Sequence, residues 1–290
     1  MQRRDVLKGF VLGGAALALG RAARVDANLA FDSVGMQLAA LERRHGGRLG
    51  VAIWDTGNGR RASHRGDERL LMCSTFKLLL AAVVLERVDR GVEKLDHRIV
   101  FSKDGLLEYA PVTSKHVGLP GLTISELCEA AITLSDNTAA NLLLKEIGGP
   151  GAWTRYARTL GDTVTLLDRA EPDLNPYDIT TPQAMLEDMQ KVLLGRALSQ
   201  SSRDQLTRWL LNCQTGLRSL RAGFPSDWKV GDKTGQWDGN GVGANNDIAI
   251  VWPPSRKPIL ITAYYMNPTT HPIGRKAVLA EVGRIVAGKA

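Results

Sequence analysis

Apolar positions recur at helical spacing from about Leu29 to Arg44, and the run stops at Gly46-Gly47. The period then drops to two. Leu49 to Trp54 and Arg60 to His64 read as strands, joined by the turn Thr56-Gly57-Asn58-Gly59. Phe76 to Leu85 is apolar almost all round, interrupted by Lys77, which is the signature of a buried helix. Thr123 followed by Glu126 forms a capping box that opens a helix running to Leu134. Thr138 to Ile147 is a further helix, broken by Gly148-Gly149-Pro150, and Thr181-Pro182 places a cap and a first-turn proline before another. After about Trp228 strand patterning returns, at Asp247 to Trp252 and Ile259 to Met266, and an amphipathic helix closes the chain from about Gly274 to Val286. This order predicts an α+β fold whose sheet is assembled from both ends of the chain, with the helical middle inserted as a second lobe. No internal repeat or low-complexity tract interrupts it.

A chain of 290 residues buries a substantial core, and its 44% apolar and 23% charged composition is that of an ordinary soluble globular protein. Residues 1–27 stand apart. Arg3-Arg4-Asp5-Val6-Leu7-Lys8 is a twin-arginine export pattern, a short apolar stretch runs from Phe10 to Gly20, and Val25-Asp26-Ala27 offers a small-residue cleavage site. The stretch is short for a bilayer span, so no permanent anchor is expected, and the periplasm or cell exterior is the expected location. The net charge of +7 falls to +4 without that segment, which holds five basic and two acidic side chains. The remaining basic residues are scattered, with no arginine run or interleaved aromatics, which argues against a nucleic-acid partner. Cys73, Cys128 and Cys213 form no Cys-x-x-Cys, and the five histidines lie far apart in sequence. Neither pattern supports a catalytic metal, and no cofactor is expected.

Ser74-Thr75-Phe76-Lys77 begins the buried helix. A serine hydroxyl is a poor nucleophile without a neighbouring base, and residues three apart share a helix face, so Lys77 is placed to reach Ser74 Oγ. Desolvation disfavours the lysine cation and moves it toward acting as a base. Taken alone this spacing is common, and a solvated lysine is its bland reading. Two further motifs follow in order: Ser135-Asp136-Asn137 and Lys233-Thr234-Gly235. These three are the set of the penicillin-recognising serine enzymes. With Glu171-Pro172-Asp173-Leu174-Asn175, Tyr109-Ala110-Pro111-Val112-Thr113 and Asn246 to Pro254, the chain resembles the class A serine β-lactamases over all of residues 28–290.

That resemblance implies an α/β/α sandwich, with an α/β lobe at about 28–66 and 215–290, a helical lobe at about 67–214, and a cleft between them. It also implies roles. Ser74 attacks the lactam carbonyl, and the oxyanion hole is formed by the backbone N–H groups of Ser74 and Gln236. Ser135 relays a proton to the departing nitrogen. Glu171 is the base for deacylation, with Asn175 holding the same water, while acylation is left open between Lys77 and Glu171. Asn137 binds the substrate amide, Lys233 and Thr234 receive its carboxylate, Gly235 permits close backbone approach, and Tyr109 walls the cleft. The Glu171–Pro172 bond is expected to be cis, as in relatives.

The chain also departs from the family. Cys128 resembles half of a disulfide found in some members, but Ala81 stands at the partner position, so no bridge is expected. Arg169 and Asp178 are candidates to pair across the neck of the Glu171 loop, which is several residues shorter than usual. Ser219 stands where many relatives carry an arginine for the substrate carboxylate, leaving Arg218 or Arg221 as substitutes, and the bulky Trp237 follows the oxyanion position. The function implied is hydrolysis of penicillins, with cephalosporins as a further candidate class, by an exported monomer acting on a small-molecule substrate. A penicillin-binding D-Ala-D-Ala peptidase, which lacks the loop glutamate, and a β-lactam sensor that stays acylated remain the alternatives.

Overall fold

The structure is a computed structural model, and it describes residues 33–171 and 178–288. A five-stranded antiparallel sheet organises it. Its strands are β1 (Arg48–Asp55), β2 (Arg61–His64), β3 (Lys229–Gly239), β4 (Val242–Trp252) and β5 (Ile259–Met266), in the spatial order β2-β1-β5-β4-β3. Both ends of the chain therefore build one sheet, and the α+β expectation holds.

The period-two alternation decides which face each side chain covers. Leu49, Val51 and Ile53 of β1, Ala249 and Val251 of β4, and Ile261, Ala263 and Tyr265 of β5 point to one face. There they pack against helix α1 (Val34–His45) and the last helix, α8 (Pro272–Val286). Ala52, Ile248, Ile250, Leu260 and Tyr264 point to the other face and join the core of the helical layer.

Helix α2 (Phe76–Asp89) runs through the centre of that layer, with every residue from Phe76 to Leu85 buried. Around it lie α3 (Ile124–Thr133), α4 (Asn137–Ile147), α5 (Pro150–Thr159), α6 (Pro182–Leu193) and α7 (Gln200–Leu211). The capping box at Thr123 is present: its hydroxyl accepts the Glu126 N–H at 3.1 Å, and Glu126 accepts the Thr123 N–H at 2.7 Å. Helix α4 ends at Gly148 in the left-handed conformation (φ 95°), after which Gly149-Pro150 starts α5 without delay. Thr181 caps α6 through the Ala184 N–H, with Pro182 in its first turn. Among the described residues, no helix is long and apolar enough to cross a membrane.

All three cysteines are buried and free. The export segment lies outside the described residues.

Candidate active site

Strand β3 runs along one side of a cleft of about 520 Å³, facing the start of α2, the Tyr109 loop and the turn before α4. Ser74 sits in a short 3-10 turn, Cys73–Thr75, that leads directly into α2. Cys73 adopts a left-handed conformation (φ 47°), uncommon for a residue with a side chain and costly unless its surroundings enforce it. Two contacts enforce it here. Asn246 of β4 donates its Nδ2 to the carbonyls of Leu71 (2.8 Å) and Met72 (3.1 Å). Gly235 of β3 lies so close that a Cβ there would fall 2.9 Å from Cys73 Cβ and 3.2 Å from the Ser74 nitrogen. Gly235 therefore packs closely on the nucleophile turn.

Ser74 Oγ donates to Glu171 Oε1 at 3.2 Å. The Lys77 ammonium lies 3.1 Å from the same oxygen. It also donates to Asn137 Oδ1 (2.6 Å), the Ser135 carbonyl (2.9 Å) and Ser135 Oγ (3.4 Å). The sequence spacing pointed to Lys77 reaching Ser74 directly; here the two are joined through Glu171. Burial lowers the proton affinity of Lys77, and the Glu171 carboxylate opposes that effect.

Ser135 also adopts a left-handed conformation (φ 59°), in the sharp link between α3 and α4. Its hydroxyl receives the Lys233 ammonium at 3.0 Å, so two lysines converge on one side chain. Lys233 is wholly buried, and burial together with the charge of Lys77 pushes it down to about 7. Thr234 shares a 2.6 Å hydrogen bond with Thr215 on the cleft wall. Gln236 pairs with Asn245 across β3 and β4, and both line the cleft with Trp237.

Two positioning groups escaped the sequence reading. Asn141, one helical turn after Asn137, donates Nδ2 to the Glu171 carbonyl at 2.8 Å and accepts the Glu171 N–H at 3.0 Å. The four-residue spacing from Asn137 was the available signal. Asp136 is fully buried; it caps α4 through the Ala139 N–H and accepts the N–H groups of Val112 and Thr113. Because Asn137 N–H also donates to the Tyr109 carbonyl at 3.0 Å, the tyrosine loop and the Ser-Asp-Asn turn form one unit. Tyr109 itself is half exposed at the rim of the cleft.

Asp178 Oδ1 accepts the N–H groups of Asp168 (2.6 Å) and Arg169 (3.2 Å), which closes the neck of the Glu171 loop. Pro172 and Asn175, with the expected cis bond and water-holding role, lie outside the described residues.

Neither candidate arginine lines the cleft. Arg221 turns behind β3 to the buried Asp232, and Arg218 is exposed. Among the described residues, the cation lining the cleft is Lys276 of α8, which the sequence reading did not single out. Cys73 is a packed thiol, and burial pushes it up to about 12.

Residues 34–289 match the β-lactamase enzyme family. The chain belongs to this family. It is 46% identical over 277 residues to β-lactamase L2 of Stenotrophomonas maltophilia, covering 93% of this chain and 90% of that one. It is 42% identical over 261 residues to β-lactamase OXY-1 of Klebsiella oxytoca, covering 88% of each. Among solved structures it is similar to an ancestral (GNCA) class A β-lactamase, with a TM-score of 0.84, 57% identity, and coverage of 87% and 98%. It is likewise similar to the putative class A β-lactamase PenP from Rhodopseudomonas palustris, with a TM-score of 0.84, 50% identity, and coverage of 88% and 99%. The class A resemblance read from the motifs is therefore correct, and the cleft belongs to a β-lactamase.

Proposed function

We infer that this β-lactamase opens the lactam ring of penicillins, and of some cephalosporins, through an ester on Ser74. Ser74 Oγ attacks the carbonyl carbon while its proton passes into the Lys77–Glu171 pair. The backbone N–H groups of Ser74 and Gln236 receive the developing oxyanion, a stabilisation worth about 2.7–4 kcal/mol per donor in such sites. The carbon–nitrogen bond then breaks. The nitrogen takes a proton through Ser135, whose hydroxyl meets both Lys77 and Lys233. In the second stage Glu171 removes a proton from water, the water oxygen attacks the ester, and Ser74 leaves with a proton restored. Lys233 and Thr234 hold the substrate carboxylate, with Lys276 on the cleft wall adding positive charge; Asn137 holds the substrate amide and Tyr109 packs against its body.

The observation that carries this reading is the Glu171 carboxylate 3.2 Å from Ser74 Oγ. A peptidase or a sensor built on the first three motifs has no such base beside its ester. The test is turnover of a chromogenic β-lactam by the purified protein. Rapid turnover that persists with chelator, and is abolished in Ser74→Ala with circular dichroism unchanged, supports it. One-to-one labelling without turnover refutes it.

Residues 1–27 carry the enzyme outward by the twin-arginine route, and it acts there as a monomer. Changing Arg3 and Arg4 together to lysine should retain the enzyme in the cytoplasmic fraction.

A further inference from the structure

At the end of α4 away from the cleft, three donor groups converge that the hydrolytic reaction does not use. Glu93 follows α2, His97 precedes the short strand Arg98–Ile99, and Glu146 is the penultimate residue of α4. A ligand-capable atom from each lies within 4.8 Å of the other two. Nine residues of helix, about 13 Å, separate Glu146 from Asn137 in the cleft.

The charges here are poorly matched. The Glu93 side chain is only 10% exposed; among the described residues its ionic partner is the His97 ring, with Nδ1 3.1 Å from Oε1, and the same oxygen accepts the Lys94 N–H at 2.8 Å. Among the described residues, no lysine or arginine pairs with Glu93 or Glu146, and the Glu146 carboxylate accepts no hydrogen bond. Two carboxylates held this close repel each other unless a cation lies between them. The backbone that presents them is fixed: Glu93 N–H donates to Arg87 O, His97 N–H to Lys94 O, and Ile124 N–H to His97 O. A pre-ordered frame of this kind lowers the cost of gathering ligands.

We propose that Glu93, His97 and Glu146 form a structural site for a divalent transition metal of the zinc type. One imidazole nitrogen and two carboxylate oxygens are the borderline donors zinc accepts, with water in the fourth position. Calcium and magnesium take oxygen ligands, which leaves the imidazole no role with them. The thiol of Cys128 is not among the groups whose ligand atoms converge here. Zinc would neutralise both carboxylates and clamp the turn after α2 to the end of α4.

The test uses the purified protein freed of metal, titrated with zinc chloride by calorimetry and followed by thermal unfolding. One equivalent binds, and Tm rises by about 3–6 °C for each tenfold excess of zinc over Kd. His97→Ala and Glu146→Gln each weaken binding by at least the roughly 10–100-fold that loss of an outer-shell partner costs. Chelator removes the thermal gain and leaves lactam turnover intact. The proposal is overturned if the wild type shows no saturable binding, if both variants bind zinc as it does, or if calcium competes equally. Loss of turnover on chelation would place the metal in the cleft and also overturn it.

Discussion

Asn141 and Glu171 exchange two hydrogen bonds, side chain to backbone in both directions, at 2.8 and 3.0 Å. An amide that donates and accepts at once fixes both the position and the plane of the Glu171 peptide. The carboxylate is thereby held at the nucleophile by a rigid helix, and not by its own loop alone.

Asn141→Leu removes both bonds and leaves a peptide N–H and C=O unpaired in a partly buried place. Unsatisfied groups of this kind cost about 1–3 kcal/mol each. The Glu171 carboxylate then loses its register with Ser74, and misplacement of about 1 Å can cost a factor of about 100 in rate. Steady-state kinetics on a chromogenic lactam should show kcat falling by about 10- to 100-fold. An unchanged kcat would mean that the loop is positioned unaided by the Asp178 contacts and by Leu166 and Ile179, which exchange backbone hydrogen bonds at 2.9 and 3.1 Å.

Gly235→Ala tests the steric fit between β3 and the nucleophile turn. The new methyl would meet Cys73 Cβ at 2.9 Å, the Met72 carbonyl at 3.1 Å and the Ser74 nitrogen at 3.2 Å. Two of these three atoms are backbone, so relief requires the turn or the strand to move. A drop in kcat/KM of more than about tenfold is expected, larger than any change in Tm would explain. Wild-type kinetics in this variant would show that the contact has slack.

Lys233 provides a pH signature. A lysine ordinarily holds its proton to pH 10.4 or so, but burial and the Lys77 charge push this one down to about 7. The protonated form is the one that attracts a substrate carboxylate. In the free enzyme, raising pH through 7 removes that charge, so kcat/KM for anionic lactams should fall on the alkaline side with a limb near 7. Lys233→Arg keeps its charge throughout and should move the limb upward while lowering the maximum, because the guanidinium does not fit an ammonium site. A limb that stays in place in the variant would assign it to another group.

Much of this site was legible as residue patterns because its chemistry is local. Ser74 to Lys77, Ser135 to Asn137 and Lys233 to Gly235 are short motifs; the first two lie where an element begins or turns, and the third lies within β3. The strand Ile259–Met266 and the Thr123 capping box were also readable, since alternation and reciprocal capping leave local marks. Strand β3 was harder to see: its buried positions include Gly231, Asp232, Lys233, Thr234 and Gly235, so burial and hydrophobicity disagree. Helices α5 and α7 went unread although Trp153, Tyr156 and Ala157, and Leu206, Trp209 and Leu210, keep helical spacing; polar residues dilute both runs. Asp136 leaves a local mark as the cap of α4, but its bonds to Val112 and Thr113 have none; Lys276 has no local signal, because the cleft it lines is assembled from distant segments.

Glu171→Gln separates the two stages of the reaction and settles which group accepts the first proton. The amide nearly matches the carboxylate in size and can still accept a hydrogen bond from Ser74, but it cannot take a proton from water. Deacylation should fall by about 100- to 10,000-fold, the range that general-base catalysis supplies. If Lys77 is the acylation base, the ester still forms and intact-mass spectrometry shows a long-lived adduct on Ser74. If Glu171 serves both stages, no adduct accumulates and turnover disappears with it. Lys77 donates to Asn137 and Ser135 as well as meeting Glu171, so the substitution leaves it anchored beside the nucleophile with burial opposed by the Asp136 charge alone. Its proton affinity then drops further, which favours the first outcome. An adduct cleared at the wild-type rate would remove Glu171 from deacylation altogether.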